Sequence, residues 1–332
     1  MDIVIRADGG PEIGYGHLVR TGALAGELLQ HGHGVTYATT TPKHVDEVCP
    51  DGVETDLLPT RDDPAPTREF VRDYADVTVT DSYLVDETYQ RQLREVSSLV
   101  VVTDDTRHRV AADVLVNGNL YANDLEYEFI GESPEQCLGT DYVLLRPEIQ
   151  ERANQDIPWR EEPSRAIITM GGSDIRKLTP TVIHAFDRCN IHVDAIVGPG
   201  CSTQQERAIR DAAEKCSTDV RVDRDPDDFV ERMAQADFAV STASSTTYEL
   251  LALGTPVVSI LVAENQRLIA SALRNRNLAT VLEQQVDREK IASAIEQYTN
   301  DSTIRRDRTL RGRNLVDARG TTRVATELLK CC

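Results

Sequence analysis

His17 closes a loop, Arg6-Ala7-Asp8-Gly9-Gly10-Pro11-Glu12-Ile13-Gly14-Tyr15-Gly16-His17, that follows the β-branched run Ile3-Val4-Ile5. An apolar-periodic segment with Leu18, Ala23, Leu24, Ala25, Leu28 and Leu29 comes next, so the unit reads as strand, glycine-rich loop and helix. Glycines let the backbone approach a ligand and take positive φ, and the unpaired N–H groups of a helix start favour negative charge. A histidine in that place can act as a base, with Asp8 nearby in the same loop. The same residues also suit an ordinary βα turn with a surface histidine. Gly9, Gly10, Gly14 and Gly16 do not form the G-x-G-x-x-G fingerprint, and no G-x-x-x-x-G-K-[ST] loop occurs in the chain.

Two further stretches carry residues of chemical interest. Ala166-Ile167-Ile168-Thr169-Met170 leads into Gly171-Gly172-Ser173-Asp174 and a helical segment from Leu178 to Phe186, which repeats the opening unit. Farther on, Phe238-Ala239-Val240-Ser241 runs into Thr242-Ala243-Ser244-Ser245-Thr246-Thr247-Tyr248-Glu249, then a helix closed by Gly254. Hydroxyls and N–H groups at a helix start suit a diphosphate, and Glu249 one turn inward could accept hydrogen bonds from two sugar hydroxyls. The alternative is a plain Ser/Thr N-cap with an acidic residue in the first turn.

The elements that must position these residues are buried strands ending in polar residues. Val77 to Tyr83 ends in Asp81-Ser82-Tyr83, Leu99 to Asp105 in Asp104-Asp105, and Val114 to Asn119 in Asn117-Gly118-Asn119. Val257 to Val262 delivers Ala263-Glu264-Asn265-Gln266. Strands separated by helical-length segments, each with a polar carboxyl end, predict a doubly wound parallel sheet with a polar crevice. Asp62 to Thr67 reads as a loop, and Leu315 to Leu329 as one helix. The fold class is α/β, two Rossmann-like domains facing a cleft. The expected division is an amino-terminal domain over 1–150, a polar, proline-bearing linker over 151–164, a second domain over 165–314, and a terminal helix over 315–332 that returns to brace the first domain.

At 332 residues the chain suits two domains, and 40% apolar residues can fill both cores. A net charge of −19 argues against nucleic acid or an anionic membrane surface as partner. The arginine-rich, strongly acidic composition suggests a surface adapted to high salt, which screens self-repulsion. The chain opens directly in a strand and nowhere approaches the ~18 consecutive apolar residues of a membrane span, so a cytoplasmic protein is expected. Seven scattered cysteines without C-x-x-C spacing suggest neither a disulfide framework nor a zinc site, and Cys331-Cys332 reads as a frayed end. No metal or cofactor is expected. The oligomeric state is left open and a monomer is compatible with the sequence.

Taken in order, Arg6 to Gly10, Ile13 to His17, Arg20, Asp81-Ser82-Tyr83, Asp104-Asp105, Leu144-Leu145-Arg146, Met170 to Asp174, Ala243-Ser244-Ser245, Glu249 and Asn265-Gln266 span nearly the whole chain. This set resembles the UDP-2,4-diacetamido-2,4,6-trideoxy-β-L-altropyranose hydrolases of pseudaminic acid synthesis. The resemblance implies the glycosyltransferase-B architecture, kinship with the transferase that makes lipid II, and water in place of the sugar acceptor. It implies that His17 acts on the water attacking the anomeric carbon, with inversion and release of UDP, and that Asp8 orients the imidazole or contacts the sugar. Gly14, Gly16, Arg20, Tyr83, Asn117, Asn265 and Gln266 are then expected at the substrate. Gly171, Gly172, Ser173, Asp174, Ser244, Ser245 and Glu249 are expected at the nucleotide. Fixed dipoles at helix starts would stabilise the departing diphosphate without a metal. The alternatives are a glycosyltransferase using a UDP-sugar donor, a nucleotide-sugar epimerase and a silent nucleotide-sugar-binding protein.

Overall fold

The computed structural model describes residues 1–331 other than Ile157 and Arg188. Contacts divide the chain into two units, one of Met1–Pro147 with the segment from Ala318 on, the other of Glu148–Asp317. Cys332, half of the terminal cysteine pair, lies outside the described residues.

The first unit contains β1 (Asp2–Ala7), α1 (Gly16–Gln30), β2 (Gly34–Thr39), α2 (Pro42–Val48), β3 (Glu54–Leu57), α3 (Pro64–Tyr74), β4 (Val77–Asp81), α4 (Glu87–Arg94), β5 (Ser98–Val102), β6 (Val114–Asn117) and β7 (Glu135–Leu138). Its strands form a parallel seven-stranded sheet in the order β3-β2-β1-β4-β5-β6-β7. Runs such as Val77 to Asp81 are buried throughout, because helices cover both faces of a parallel sheet. On one face Ile3, Ile5, Val77 and Val79 pack with Leu24 and Leu28 of α1, and on the other Val4, Leu99 and Val101 pack with Val71 of α3 and Leu93 of α4.

α5 (Pro147–Ala153) leads into the second unit, which contains β8 (Arg165–Thr169), α6 (Thr179–Ala185), β9 (His192–Val197), α7 (Thr203–Lys215), β10 (Asp219–Arg224), α8 (Phe229–Gln235), β11 (Phe238–Thr242), α9 (Thr246–Leu253), β12 (Val257–Ile260), α10 (Arg267–Asn275), β13 (Ala279–Leu282), α11 (Arg288–Asn300) and α12 (Ser302–Leu315). These strands make a parallel six-stranded sheet, β10-β9-β8-β11-β12-β13. Residues of the segment 151–164 are tied within this unit. Arg152 Nε donates to Glu231 at 2.7 Å, and the buried Arg305 guanidinium donates to the carbonyls of Arg160 and Glu161 at 3.1 and 2.6 Å.

α13 (Gly320–Leu329) returns to the first unit, where Val324, Ala325 and Leu328 join the core beside α1. It is a separate helix from α12, not one run from Leu315. Ala318 sits at φ 58°, a left-handed conformation that ends helical continuity. The Asp62–Thr67 stretch is also more ordered than its composition suggests. Asp63 accepts a hydrogen bond from Ala65 N at 3.0 Å and Pro64 occupies the first helical position, so the stretch starts α3. No helix among the described residues is long and apolar enough to cross a membrane.

Candidate functional site

In each sheet the strand order reverses once, and the loops of chemical interest follow the strands at that point, where open α/β sheets bind ligands. In the first unit the reversal lies between β1 and β4. The glycine loop follows β1, and Ser82-Tyr83 follow β4. Gly10 and Gly14 close the loop on themselves with paired backbone bonds of 3.1 and 2.7 Å, at φ 142° and 94°. α1 starts at Gly16 with neither a side-chain cap nor an acidic residue in its first turn, so its positive end carries no built-in anion. A methyl group built on Gly14 or Gly16 would meet nothing within 4 Å, which leaves open space before this helix end.

His17, 9% exposed, occupies the first turn of α1. Its Nε2 lies 3.9 Å from Asp81 Oδ1, and its ring meets the Tyr83 ring edge-on with centroids 4.9 Å apart. Arg20, one turn farther along α1, grips Asp81 through Nε and Nη2 at 2.6 Å each, and Asp104 through Nη1. Asp104 also accepts from Tyr83 Oη at 3.0 Å and Asn119 Nδ2 at 2.9 Å. Burial alone would raise the Asp104 carboxyl, but Arg20 and the hydrogen bonds outweigh it and hold the group well below the usual carboxylate range. The same two carboxylates keep the Arg20 guanidinium charged despite its burial.

Several of the expected site residues find partners within the first unit itself. Asp8 is not the carboxylate beside the imidazole; Asp81 is. Asp8 Oδ2 accepts from Arg6 at 2.7 Å and Arg61 at 3.4 Å, and Oδ1 accepts from Thr39 Oγ1, Thr40 N and Thr40 Oγ1 at 3.0, 2.7 and 2.9 Å. Burial opposes its ionisation, yet Arg6 and Thr40 keep the Asp8 carboxyl below its ordinary range. With both oxygens so engaged, Asp8 fixes the chain around β1 and β2. Arg20 likewise places its guanidinium on Asp81 and Asp104, so it brackets β4 to the turn after β5. Asn117 is fully buried, its Nδ2 on Tyr127 Oη and its Oδ1 accepting from Asn119, and it shapes the Asn119 turn. Arg107, absent from the sequence reading, places its guanidinium 4.0 Å from the Tyr83 ring centroid. No local pattern marks it, because the contact depends on the fold.

In the second unit the reversal lies between β8 and β11. Gly171 follows β8 at φ 78°, and a methyl group there would lie 3.8 Å from Thr242 Oγ1 at the end of β11, so the two turns are neighbours. Gly198 after β9 presses against the same turn: a methyl group on it would come within 2.5 Å of the Gly171 and Gly172 carbonyl oxygens. At the start of α9, Ser245 makes no side-chain capping bond, and Ser244 Oγ accepts from Thr242 Oγ1 at 3.0 Å. The plain N-cap reading therefore does not describe these serines. Glu249 is buried in the first turn.

Asp174 has a structural task, since its carboxylate accepts from Leu178 N at 2.9 Å, Thr179 N at 3.0 Å and Thr179 Oγ1 at 2.7 Å. Ser173 is held from behind, its carbonyl accepting from Gln205 Nε2 at 2.9 Å. Gln266 Oε1 accepts from Val262 N at 3.1 Å and so folds its own turn, while Asn265 beside it is exposed. The structure thus places Gly14, Gly16, His17, Tyr83 and Asp81 together in the first unit, and Gly171, Gly172, Ser244, Ser245 and Glu249 around one reversal in the second.

No family model matches the chain. The sequence is 24% identical over 280 residues to an uncharacterized protein of Methanocaldococcus jannaschii, covering 80% of this chain and 57% of that protein, so the chain spans little more than half that relative's length. It is 24% identical over 343 residues to the spore coat polysaccharide biosynthesis protein SpsG of Bacillus subtilis, covering 99% and 98% of the two chains. It is 23% identical over 288 residues to the UDP-2,4-diacetamido-2,4,6-trideoxy-beta-L-altropyranose hydrolase of Campylobacter jejuni, covering 83% and 97%. The resemblance carried by the motifs is thus matched by similarity along most of the chain. Among solved structures, MurG of Acinetobacter baumannii superposes over 99% of both chains with a TM-score of 0.71 at 13% identity. The calicheamicin glycosyltransferase CalG4 covers 99% and 97% with a TM-score of 0.63 at 16% identity. The fold is that of the two-domain α/β glycosyltransferases of the B type.

Proposed function

We propose that the protein hydrolyses a UDP-linked deoxy-diacetamido sugar at its anomeric carbon, as a cytoplasmic step in nonulosonic acid or surface-polysaccharide synthesis. The observation that carries this reading is His17, a largely buried imidazole at an uncapped helix start, 3.9 Å from Asp81 and beside open space at Gly14 and Gly16. The hydrolase of Campylobacter jejuni supplies the substrate class. In the second unit, the backbone of Gly171 and Gly172 and the start of α9 at Ser244 and Ser245 receive the diphosphate, and Glu249 the ribose hydroxyls. Asn265 contacts the sugar or its phosphates.

In the first unit, a water oxygen forms the new bond to the anomeric carbon while the bond from that carbon to the diphosphate oxygen breaks with its electron pair. The water proton passes to His17, and the configuration inverts. Asp81 faces the positive charge that the ring takes up, and Tyr83 fixes the ring edge-on. Arg20 keeps Asp81 oriented, which makes it a positioning residue.

The direct test is UDP release from UDP-2,4-diacetamido-2,4,6-trideoxy-β-L-altropyranose in high-salt buffer, with UDP-N-acetylglucosamine alongside and His17→Ala as control. Release from the first compound is expected, falling ~10²–10⁴-fold in the variant while its melting temperature stays unchanged. A transferase reading is favoured by CalG4, a solved structure of similar fold that is a glycosyltransferase by name. Tight UDP binding with release only on adding an acceptor would establish it in place of hydrolysis.

A further inference from the structure

The second unit contains a buried cation that the UDP reading does not use. Arg308 on α12 is 8% exposed, yet no carboxylate pairs with it among the described residues. Its Nη1 donates to Thr280 Oγ1 at 2.8 Å, and the guanidinium lies 4.9 Å from the centroid of the Tyr298 ring. Burial with no compensating charge pushes the guanidinium pKa down to about 10. A desolvated guanidinium ordinarily has an anion beside it, as Arg20 and Arg232 do in this chain.

A pocket of about 400 Å³ opens at Arg308, lined also by Asn277, Gln297, Thr303, Ile304 and Asp307. That volume is within the range of small-molecule sites, about 300–1,000 Å³. Asn277 precedes the amino end of β13, whereas the Gly171 and Ser244 turns follow carboxyl ends of β8 and β11. Thr280 Oγ1, which accepts from Arg308, donates to Gln297 Oε1 at 3.4 Å and so leaves the Gln297 amide nitrogen as a donor. The one acidic wall residue is neutralised, because Asp307 accepts from Arg311 Nε at 2.6 Å.

We propose that this pocket binds a small molecule through an oxyanion, carboxylate or phosphate, held by the Arg308 guanidinium with the amides of Gln297 and Asn277. The planar fork of donors matches either group. The site stands apart from the proposed hydrolysis and does not depend on it.

The test is thermal unfolding and titration calorimetry of the full chain with sodium phosphate and sodium acetate, against sodium chloride at matched ionic strength. Wild type, Arg308→Gln and Gln297→Ala are compared, with UDP present and absent. A saturable rise in melting temperature beyond that of chloride, unaffected by UDP, is expected with at least one oxyanion. A response to phosphate alone assigns a phosphate site, and a response to acetate a carboxylate site. The rise should vanish in Arg308→Gln and the dissociation constant should weaken about fivefold in Gln297→Ala, a loss of about 1 kcal/mol. No effect beyond chloride in wild type, an effect displaced by UDP, or an unchanged response in either variant would overturn the proposal. If Arg308→Gln does not fold, Gln297→Ala, which leaves the cation in place, decides alone.

Discussion

A methyl group added at Gly16 meets no atom within 4 Å beyond its chain neighbours and its own helix backbone, so a loss of function in Gly16→Ala reports on a ligand. We expect stability within about 0.5 kcal/mol of wild type and kcat/KM about tenfold lower, equivalent to about 1.4 kcal/mol of lost binding. Unchanged kinetics would show that no reacting molecule approaches this helix start. The Arg20 bracket makes a separate prediction in pH. The Asp104 carboxyl is depressed in the folded protein, so its contribution to stability is complete above the ordinary carboxyl value of about 3.9 and is lost as pH falls through the lower folded value. Asp104→Asn should therefore cost about 1–2 kcal/mol at pH 7, below the roughly 3–5 kcal/mol of a fully buried pair because both side chains keep some exposure, and progressively less in acid. Urea midpoints measured at pH 7 and below pH 4 check this; an equal gap at both would mean that ionised Asp104 contributes nothing.

Loops in the second unit are shaped by close backbone approach. Gly198→Ala would place a methyl carbon 2.5 Å from two backbone oxygens, those of Gly171 and Gly172, and backbone cannot turn aside as a side chain can. We expect the turn to shift, at a cost of about 1–3 kcal/mol in stability and about tenfold in UDP affinity by calorimetry. An unchanged affinity would remove the Gly171 turn from the nucleotide site. Such constraints divide what the sequence reveals from what it hides. Apolar strands with polar ends were readable because burial on both faces demands continuous Val, Ile and Leu, as in Val77 to Asp81. Helices α2, α4 and α7 escaped notice because charged and polar residues outnumber apolar ones in them and only a narrow stripe is buried, Ile209 and Ala212 in α7. The glycine loop ending at His17 was legible from residue types alone. The partners that decide what those residues do were not: Arg20 and Asp104 are 84 positions apart, and Asp8 takes Arg61 from 53 positions away. Only the sheet order brings them together.

At the scale of the molecule, the segment from Ala318 on completes the first unit rather than the second. Leu145 N donates to Thr321 Oγ1 at 2.9 Å, Ser98 Oγ donates to the Cys331 carbonyl at 2.8 Å, and Val324 and Leu328 are fully buried beside α1. Truncation before Ala318 should therefore destabilise the first unit by several kcal/mol, on the order of 2–5 for each large apolar side chain removed from a core. Hydrogen exchange should show lost protection in β1 and α1, with β8, β11 and β12 unchanged; uniform loss would refute this division. The arrangement also sets an order of assembly. Residues 148–317 are contiguous and can close their core as soon as they leave the ribosome, whereas the first unit must wait for α13, roughly 10–40 s after its own strands appear at about 5–20 residues per second. The half of the protein made first is the half finished last, and in that interval the uncovered face of α1 is a natural target for chaperones.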